Sequence, residues 1–287
     1  MQQKKRAFRA FHKECLHLTS QTTNWKELAE LGKDCDTLIC GSDQIWNFNL
    51  TEGLHPAYYL EFAQAGQRKI AYAPSMNQNS IPEQMERQLL EKLQTFHAVS
   101  IREQNLTEPL TRLLGKPVSV VLDPTLRLDA HGYSPLLQRC TLRLPAHYVF
   151  IYCLHQDHLK PLRKLAERYA EENHVQIVYC SKLDLFRSEY ACNIFRYGPE
   201  AFVYAIAHAD YVFADSFHAA AFSVVFHKDF ALYTPGGSHS RMNTLFSSLG
   251  ISERFVKEPG ELLPPIDYES VDVHLQNRRR ASLEYLI

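Results

Sequence analysis

The chain predicts an α/β protein built from two doubly wound domains, and three observations carry that reading. Short apolar runs alternate with helical stretches over most of the length. The alternation pauses once, between residues 127 and 145. Polar clusters recur at the ends of the apolar runs. Alternating strand and helix implies parallel strands with helices packed on both faces. A length of 287 residues suits two domains, and a hydrophobic content of 45% is enough for their cores.

Taken in order, residues 1–33 read as polar helix with Phe8, Phe11, Cys15 and Leu16 as a partial apolar stripe. The first strand spans 37–40 and ends in Gly41-Ser42-Asp43-Gln44-Ile45-Trp46-Asn47. A second, 69–73, stops at Pro74-Ser75. Pro82 stands in the first turn of a helix reaching about residue 96. Strand 98–101 leads into Arg102-Glu103 and a helix that stops before Gly115. Strand 118–122 ends in Asp123-Pro124-Thr125. The aperiodic stretch with Pro124, Pro135 and Pro145 sets a boundary, giving domains 1–128 and 129–287.

After the boundary come strand 148–153, helix 157–172, strand 175–180, a short strand at 193–197 and a helix from Gly198-Pro199-Glu200 to residue 208. A buried strand at 211–214 meets a sharp turn, Asp215-Ser216, and an Ala-rich helix begins near Phe217. Strand 230–233 precedes the loop Thr234-Pro235-Gly236-Gly237-Ser238-His239. Ser240 can cap a helix that ends at Leu249 before Gly250, and a last amphipathic helix covers 268–286. The pattern predicts two Rossmann-like domains facing across a cleft. The first is abbreviated, because its first strong strand comes only at residue 37.

Composition narrows the function. Lys+Arg 31 against Asp+Glu 32 leaves a net charge of −1, without the basic excess of a dedicated nucleic-acid binder. No run of 18 apolar residues occurs, and no apolar segment follows Lys4-Lys5-Arg6, so neither a membrane span nor a secretory signal is expected. Seven scattered cysteines without a CxxC pair suit a reducing cytoplasm, where the Asn49 and Asn105 glycosylation triplets are accidental. Cys40, Cys153 and Cys180 adjoin apolar runs and read as small buried residues. No HExxH or Cys/His zinc pattern is present. His155 and His158 read as surface residues, and no metal or redox cofactor is expected.

The chemistry lies in the clusters at the strand ends. Parallel strands place those ends on one edge, so Gly41 to Asn47, Pro74 to Asn77, Arg102-Glu103, Asp123-Pro124 and Asp215 to His218 can converge on a site. Arg102 and Arg241 each open a helix, and guanidinium forks match carboxylate and phosphate oxygens. Arg102 could equally pair with Glu103 or Glu108 on a surface. Trp46 can stack on a sugar or pack beneath its loop. Asp43 can act as a base toward a sugar hydroxyl or cap its turn. Asp215 or Ser216 can be a helix cap, and His218 a hydrogen-bonded helix residue. The glycine loop matches neither Walker A nor GxGxxG, so nucleotide binding has no direct support.

Several of these strings resemble the polysaccharide pyruvyl transferase family. Asp36-Thr37-Leu38-Ile39-Cys40-Gly41-Ser42-Asp43-Gln44-Ile45-Trp46-Asn47 is similar to its "D-x-x-I-x-G-S-D-Q-x-W-N" segment. Ser100-Ile101-Arg102-Glu103 and Leu122-Asp123-Pro124-Thr125-Leu126 match its "S-x-R-E" and "L-D-P-T-L" steps. Pro199-Glu200-Ala201-Phe202, Ala209-Asp210, Asp215-Ser216-Phe217-His218-Ala219 and Ser240-Arg241 follow its C-terminal signature. The resemblance runs from about residue 35 to the C-terminus. It departs at Ser216-Phe217-His218, where many members carry R-L-H, and in lacking the strand and helix with an "N-Y-G" segment that usually opens the family.

The resemblance implies a GT-B-like fold and transfer of a pyruvyl group from phosphoenolpyruvate to a sugar of a surface polysaccharide or its precursor, giving a cyclic ketal. Residues 1–128 would then hold the acceptor and 129–287 the donor. His218 is the expected proton donor, since imidazole exchanges protons near neutral pH. Arg102, Arg241, Ser216 and Ser240 would hold the donor, with Arg241 replacing the missing arginine. Gly41, Ser42, Asp43, Gln44, Trp46, Asn47 and Ser75 would line the acceptor site. No cofactor beyond the donor is implied. A lipid-linked acceptor would bring a cytoplasmic enzyme to the inner face of the membrane. The alternatives are a GT-B-type glycosyltransferase using a nucleotide sugar, or a non-catalytic truncated member of the family.

Overall fold

The computed structural model describes residues 2–182, 186, 191–235, 240–256 and 262–287. In chain order its helices are α1 (Gln2–Cys15), α2 (Trp25–Gly32), α3 (Glu83–Leu93), α4 (Thr107–Leu114), α5 (Ser134–Gln138), α6 (Leu159–Asn173), α7 (Pro199–Ala207), α8 (Phe217–Val225), α9 (Ser240–Leu249) and α10 (Tyr268–Glu284). The strands are β1 (Thr37–Cys40), β2 (Arg68–Ala71), β3 (Ala98–Ile101), β4 (Val118–Val120), β5 (Tyr148–Tyr152), β6 (Gln176–Cys180), β7 (Ala191–Asn193), β8 (Tyr211–Ala214), β9 (Phe230–Tyr233) and β10 (Phe255–Val256). They form two parallel sheets, ordered β1-β2-β3-β4 and β10-β9-β8-β5-β6-β7.

Each sheet belongs to one compact unit. The four-stranded unit comprises Thr19–Arg127, Ser238–Gly250 and Asp272–Ile287. The six-stranded unit comprises Met1–Leu18, Leu128–Gly237 and Ile251–Val271. A simple division into 1–128 and 129–287 therefore needs correction at three places. Helix α1 belongs with the six-stranded sheet, where Lys4 lies 3.9 Å over the Phe195 ring and Glu14 pairs with Arg139. Helix α9 and the end of α10 belong with the four-stranded sheet. There Thr244 accepts a hydrogen bond from Gln104 N, and Ser282 accepts one from Leu122 N.

The cores explain the apolar runs. On one face of the four-stranded sheet, Cys40, Ala71, Val99 and Val118 pack with Leu89 and Leu93 of α3 and Leu110 of α4. In the six-stranded sheet, Val149, Ile151, Tyr211 and Phe213 pack on Leu162, Leu165 and Ala166 of α6. Phe150 and Tyr152 turn the other way, onto Phe202 of α7. Because both faces are covered, β5 and β8 read as unbroken apolar strings instead of alternating ones.

Several local expectations shift. Pro82 is the N-cap of α3 and precedes its first turn. The short strand foreseen at 193–197 lies at 191–193 as β7, and β10 is added after α9. The polar N-terminal stretch divides into α1 and α2, the second capped by Asn24 Oδ1, which accepts from Lys26 N and Glu27 N. Within the glycine loop, Gly236, Gly237, Ser238 and His239 lie outside the described residues.

Candidate functional site

The four parallel strands deliver Gly41–Asn47, Pro74–Ser75, Arg102–Glu103 and Asp123 to one edge, and the backbone there is tightly constrained. Gly41 has φ 125°, and a Cβ at that position would lie 1.9 Å from Tyr72 O, so only glycine fits. Asp43 (φ 61°), Ala73 (φ 55°) and Asn77 (φ 52°) are left-handed non-glycine residues. Such strain, about 1–3 kcal/mol each, collects where surrounding structure over-determines it. The ladder continues past the strands through Ser75 N to Asp43 O (2.7 Å) and Arg102 N to Pro74 O (3.2 Å).

Five charged groups meet on this frame. Arg102 is buried and donates from Nη1 to Asp123 Oδ2 at 2.5 Å and from Nη2 to Asp43 Oδ1 at 3.0 Å. Arg241, from the first turn of α9, donates to the same Asp43 Oδ1 at 3.3 Å. The Gln44 amide, oxygen toward Arg241, accepts from Nη2 at 3.0 Å and Nη1 at 3.1 Å. Glu103 receives Ser75 Oγ and, at 2.9 Å, Asn77 N. Ser42 Oγ lies 2.8 Å from Ala73 O and 3.2 Å from Asp123 Oδ2. Burial, then the like charge of Arg102, pulls Arg241 below its ordinary value, while Asp43, Glu103 and Asp123 act the other way.

Solvent access divides the cluster. Arg102 and Asp123 form a buried pair, with side chains 2% and 3% exposed. Asp43 is 59% exposed and Arg241 12%. Arg102 is therefore fixed between two carboxylates, where a surface pair with Glu103 or Glu108 was the alternative to an anion clamp. Only Asp43 and Arg241 present this cluster outward.

A second edge is built in the six-stranded unit. Its order, β7-β6-β5-β8-β9-β10, places β5 beside β8, and their outgoing connections diverge toward β6 and β9. That is the switch point at which open α/β sheets hold ligands beyond their strand ends. The loops there are joined by Asp215. Its carboxylate is buried and accepts from Leu154 N (2.7 Å) and His155 N (2.9 Å), and His158 Nδ1 lies 3.0 Å from Oδ2. Cys153 Sγ is 3.5 Å from the same oxygen. Burial first, and Asp215 next, push the Cys153 thiol up to about 12. The Asp215 carboxylate at Nδ1 orients the His158 ring.

These geometries can be set beside known proteins. A model of the polysaccharide pyruvyl transferase family matches residues 3–235. The chain belongs to the polysaccharide pyruvyl transferase family. It is therefore a member of a transferase family. No curated protein matches its sequence. Among solved structures it is similar to UDP-GlcNAc 2-epimerase from Methanocaldococcus jannaschii, at 9% identity and TM-score 0.57, over 95% of this chain and 82% of that one. It is also similar to MnaA of S. aureus in a co-structure with UDP, at 12% identity and TM-score 0.50, over 96% and 86%. At these identities the likeness shows the GT-B fold alone.

In this pyruvyl transferase family member, several expected ligand residues are committed to structure. Trp46 is 1% exposed, stacks on Tyr59 at 5.3 Å and donates from Nε1 to Tyr58 O at 3.0 Å, so it packs beneath its loop. Asn47 is buried and anchors the following turn, accepting from Asn49 N. Ser75 is fully buried against Glu103. Gly41, Ser42, Asp43 and Gln44 share the four-stranded edge with Arg102 and Arg241. Ser240 is buried in the first turn of α9, and among the described residues its Oγ has no hydrogen-bond partner.

Ser216 is the buried N-cap residue of α8 without a side-chain capping bond, and His218 is half-buried with its ring edge-on to Phe217. Both lie in the six-stranded unit, whereas Arg241 lies in the four-stranded one. Asp215 is not a cap, since its carboxylate is spent on the β5 loop and His158. His158, with 19% of its side chain exposed, is not a simple surface residue. The sequence signal for it was weak: a histidine shortly after a buried strand, with its partner 57 residues away.

Proposed function

We propose that the chain transfers a pyruvyl group from phosphoenolpyruvate to a sugar of a surface polysaccharide or its precursor. Family membership motivates the reaction. The observation that carries the donor assignment is the carboxylate oxygen of Asp43, held by the guanidinium groups of both Arg102 and Arg241. A place built to hold one carboxylate oxygen suits the carboxylate or phosphate of the donor. Arg241 and Asp43 are its solvent-reaching members, so the donor anion is assigned to Arg241, with Arg102 positioning Asp43 from behind.

The chemistry needs an acid to protonate the methylene carbon of phosphoenolpyruvate, leaving C2 electrophilic. A sugar hydroxyl then adds to C2 and gives up its proton. A second hydroxyl displaces phosphate, gives its proton to the departing phosphate and closes the ketal.

The test is to incubate the protein with phosphoenolpyruvate and a panel of free and lipid-linked glycans, reading phosphate release and the ketal methyl signal by NMR. Arg241→Gln is expected to weaken phosphoenolpyruvate binding about tenfold or more, the worth of a lost charged hydrogen bond. Unchanged phosphoenolpyruvate binding in Arg241→Gln removes it from the donor site. Turnover of UDP-sugars instead of phosphoenolpyruvate would overturn the function itself.

A further inference from the structure

Away from the charged strand edge, the four-stranded unit carries an open pocket of about 680 Å³. Helix α9 supplies Ser240, Asn243, Thr244, Ser247 and Ser248 to it. These positions recur at intervals of three and four residues, so they form one face of the helix. The opposite face, Met242, Leu245, Phe246 and Leu249, is buried. Amides at 79, 104 and 105 complete the lining, together with Arg278 of α10. Gln104 N donates to Thr244 Oγ1 at 3.0 Å and fixes α9 against that turn.

Two features point to a ligand. Every lining side chain except Arg278 is a neutral amide or hydroxyl, a donor and acceptor set suited to a polyhydroxylated molecule. Arg278 is half-buried, and among the described residues it forms no ion pair; its Nε is buried without a hydrogen-bond partner. Burial pulls its guanidinium below the ordinary value. A desolvated cation without a carboxylate is costly unless an anion completes it. Ser240, only 7% exposed, adds a second buried polar atom at the same pocket, Oγ, without a partner among the described residues.

We propose that this pocket binds an anionic sugar, a hexose bearing a carboxylate or a phosphate, as an acceptor subsite. This rests on the pyruvyl transfer reading above and names the class of glycan. The first turn of α9 links the two places, since Ser240 borders the pocket while Arg241 reaches Asp43.

Binding is measured on the full chain by saturation-transfer NMR and calorimetry, with glucuronate, glucose 1-phosphate, glucose and inorganic phosphate as probes. At least one charged sugar should bind roughly tenfold more tightly than glucose, as expected for a charge-assisted contact. Which one does so separates a carboxylate from a phosphate. Arg278→Gln should abolish the advantage, and Ser247→Trp, at an exposed position, should block charged and neutral sugars alike. Equal binding of glucose and both charged sugars, binding that survives either variant, or inorganic phosphate binding as tightly as glucose 1-phosphate would overturn the proposal. Sugar binding without pyruvyl transfer would fault only the catalytic reading; transfer without sugar binding here would fault only the subsite.

Discussion

Gly41 shows how strictly one residue can be set. Any side chain there meets the Tyr72 carbonyl at 1.9 Å while the backbone holds φ 125°. Gly41→Ala is expected to destabilise the protein by about 3 kcal/mol or more, read by urea unfolding; a loss under about 1 kcal/mol would mean that the loop relaxes freely. Arg102 offers a contrast within one side chain. Arg102→Ala strands the buried Asp123 and should cost about 3–5 kcal/mol. Asp43→Asn, at an exposed partner, should cost less than about 1 kcal/mol. Similar losses in both would contradict the division into a buried and an exposed pair. Sequence alone placed Arg102, Asp43 and Asp123 at strand ends, because apolar runs mark where strands stop. It could not show that Arg102 is spent on two carboxylates, since its partners sit 59 and 21 residues away. Trp46 misled for a similar reason: its polar neighbours are exposed or turn-forming, while the ring itself turns inward onto Tyr59.

At the scale of elements, the strands were the most legible part. β8 and β9 stand where their apolar runs lie, because a strand covered on both faces leaves an uninterrupted signature. β7 and β10 were harder, being three and two residues long and set by neighbours more than by their own composition. The destination of the helices was least legible. Nothing local in α9 or α10 says which sheet they will cover. Ser282 illustrates the point: it is 1% exposed, and its Oγ accepts from Leu122 N at 2.9 Å while donating to Arg278 O. Ser282→Ala leaves the Leu122 N–H without that acceptor and should cost about 1–3 kcal/mol. Hydrogen exchange at Leu122 should accelerate with it; unchanged protection there would show that another acceptor takes over.

For the whole molecule, buried and half-buried thiols and phenols tie stability to alkaline pH. Burial pushes Cys40 and Cys153 up to about 12 and Cys180 to about 11, and Tyr152, Tyr211 and Tyr285 to about 12. The folded state thus holds these protons more tightly than the unfolded chain. Their contribution is fully present below the unfolded values of 9 to 10 and is lost as pH climbs toward 12. Thermal unfolding followed from pH 8 to 11.5 should show a progressive fall, shallower in Cys40→Ala. A melting temperature level across that range would refute the sign.

The four-stranded unit is assembled from three separated stretches of chain, and this has a consequence during synthesis. Its four strands leave the ribosome well before Ser282, which accepts from Leu122 N, and Tyr285, which donates to Ala71 O at 2.8 Å. Domains that fold as they emerge usually do so from the N-terminus. Here the strands must wait, with part of their surface uncovered, until residues 282 and 285 have been made. A nascent chain halted after Arg127 should therefore be far more open to protease than the released protein, although every strand of its sheet has already been made.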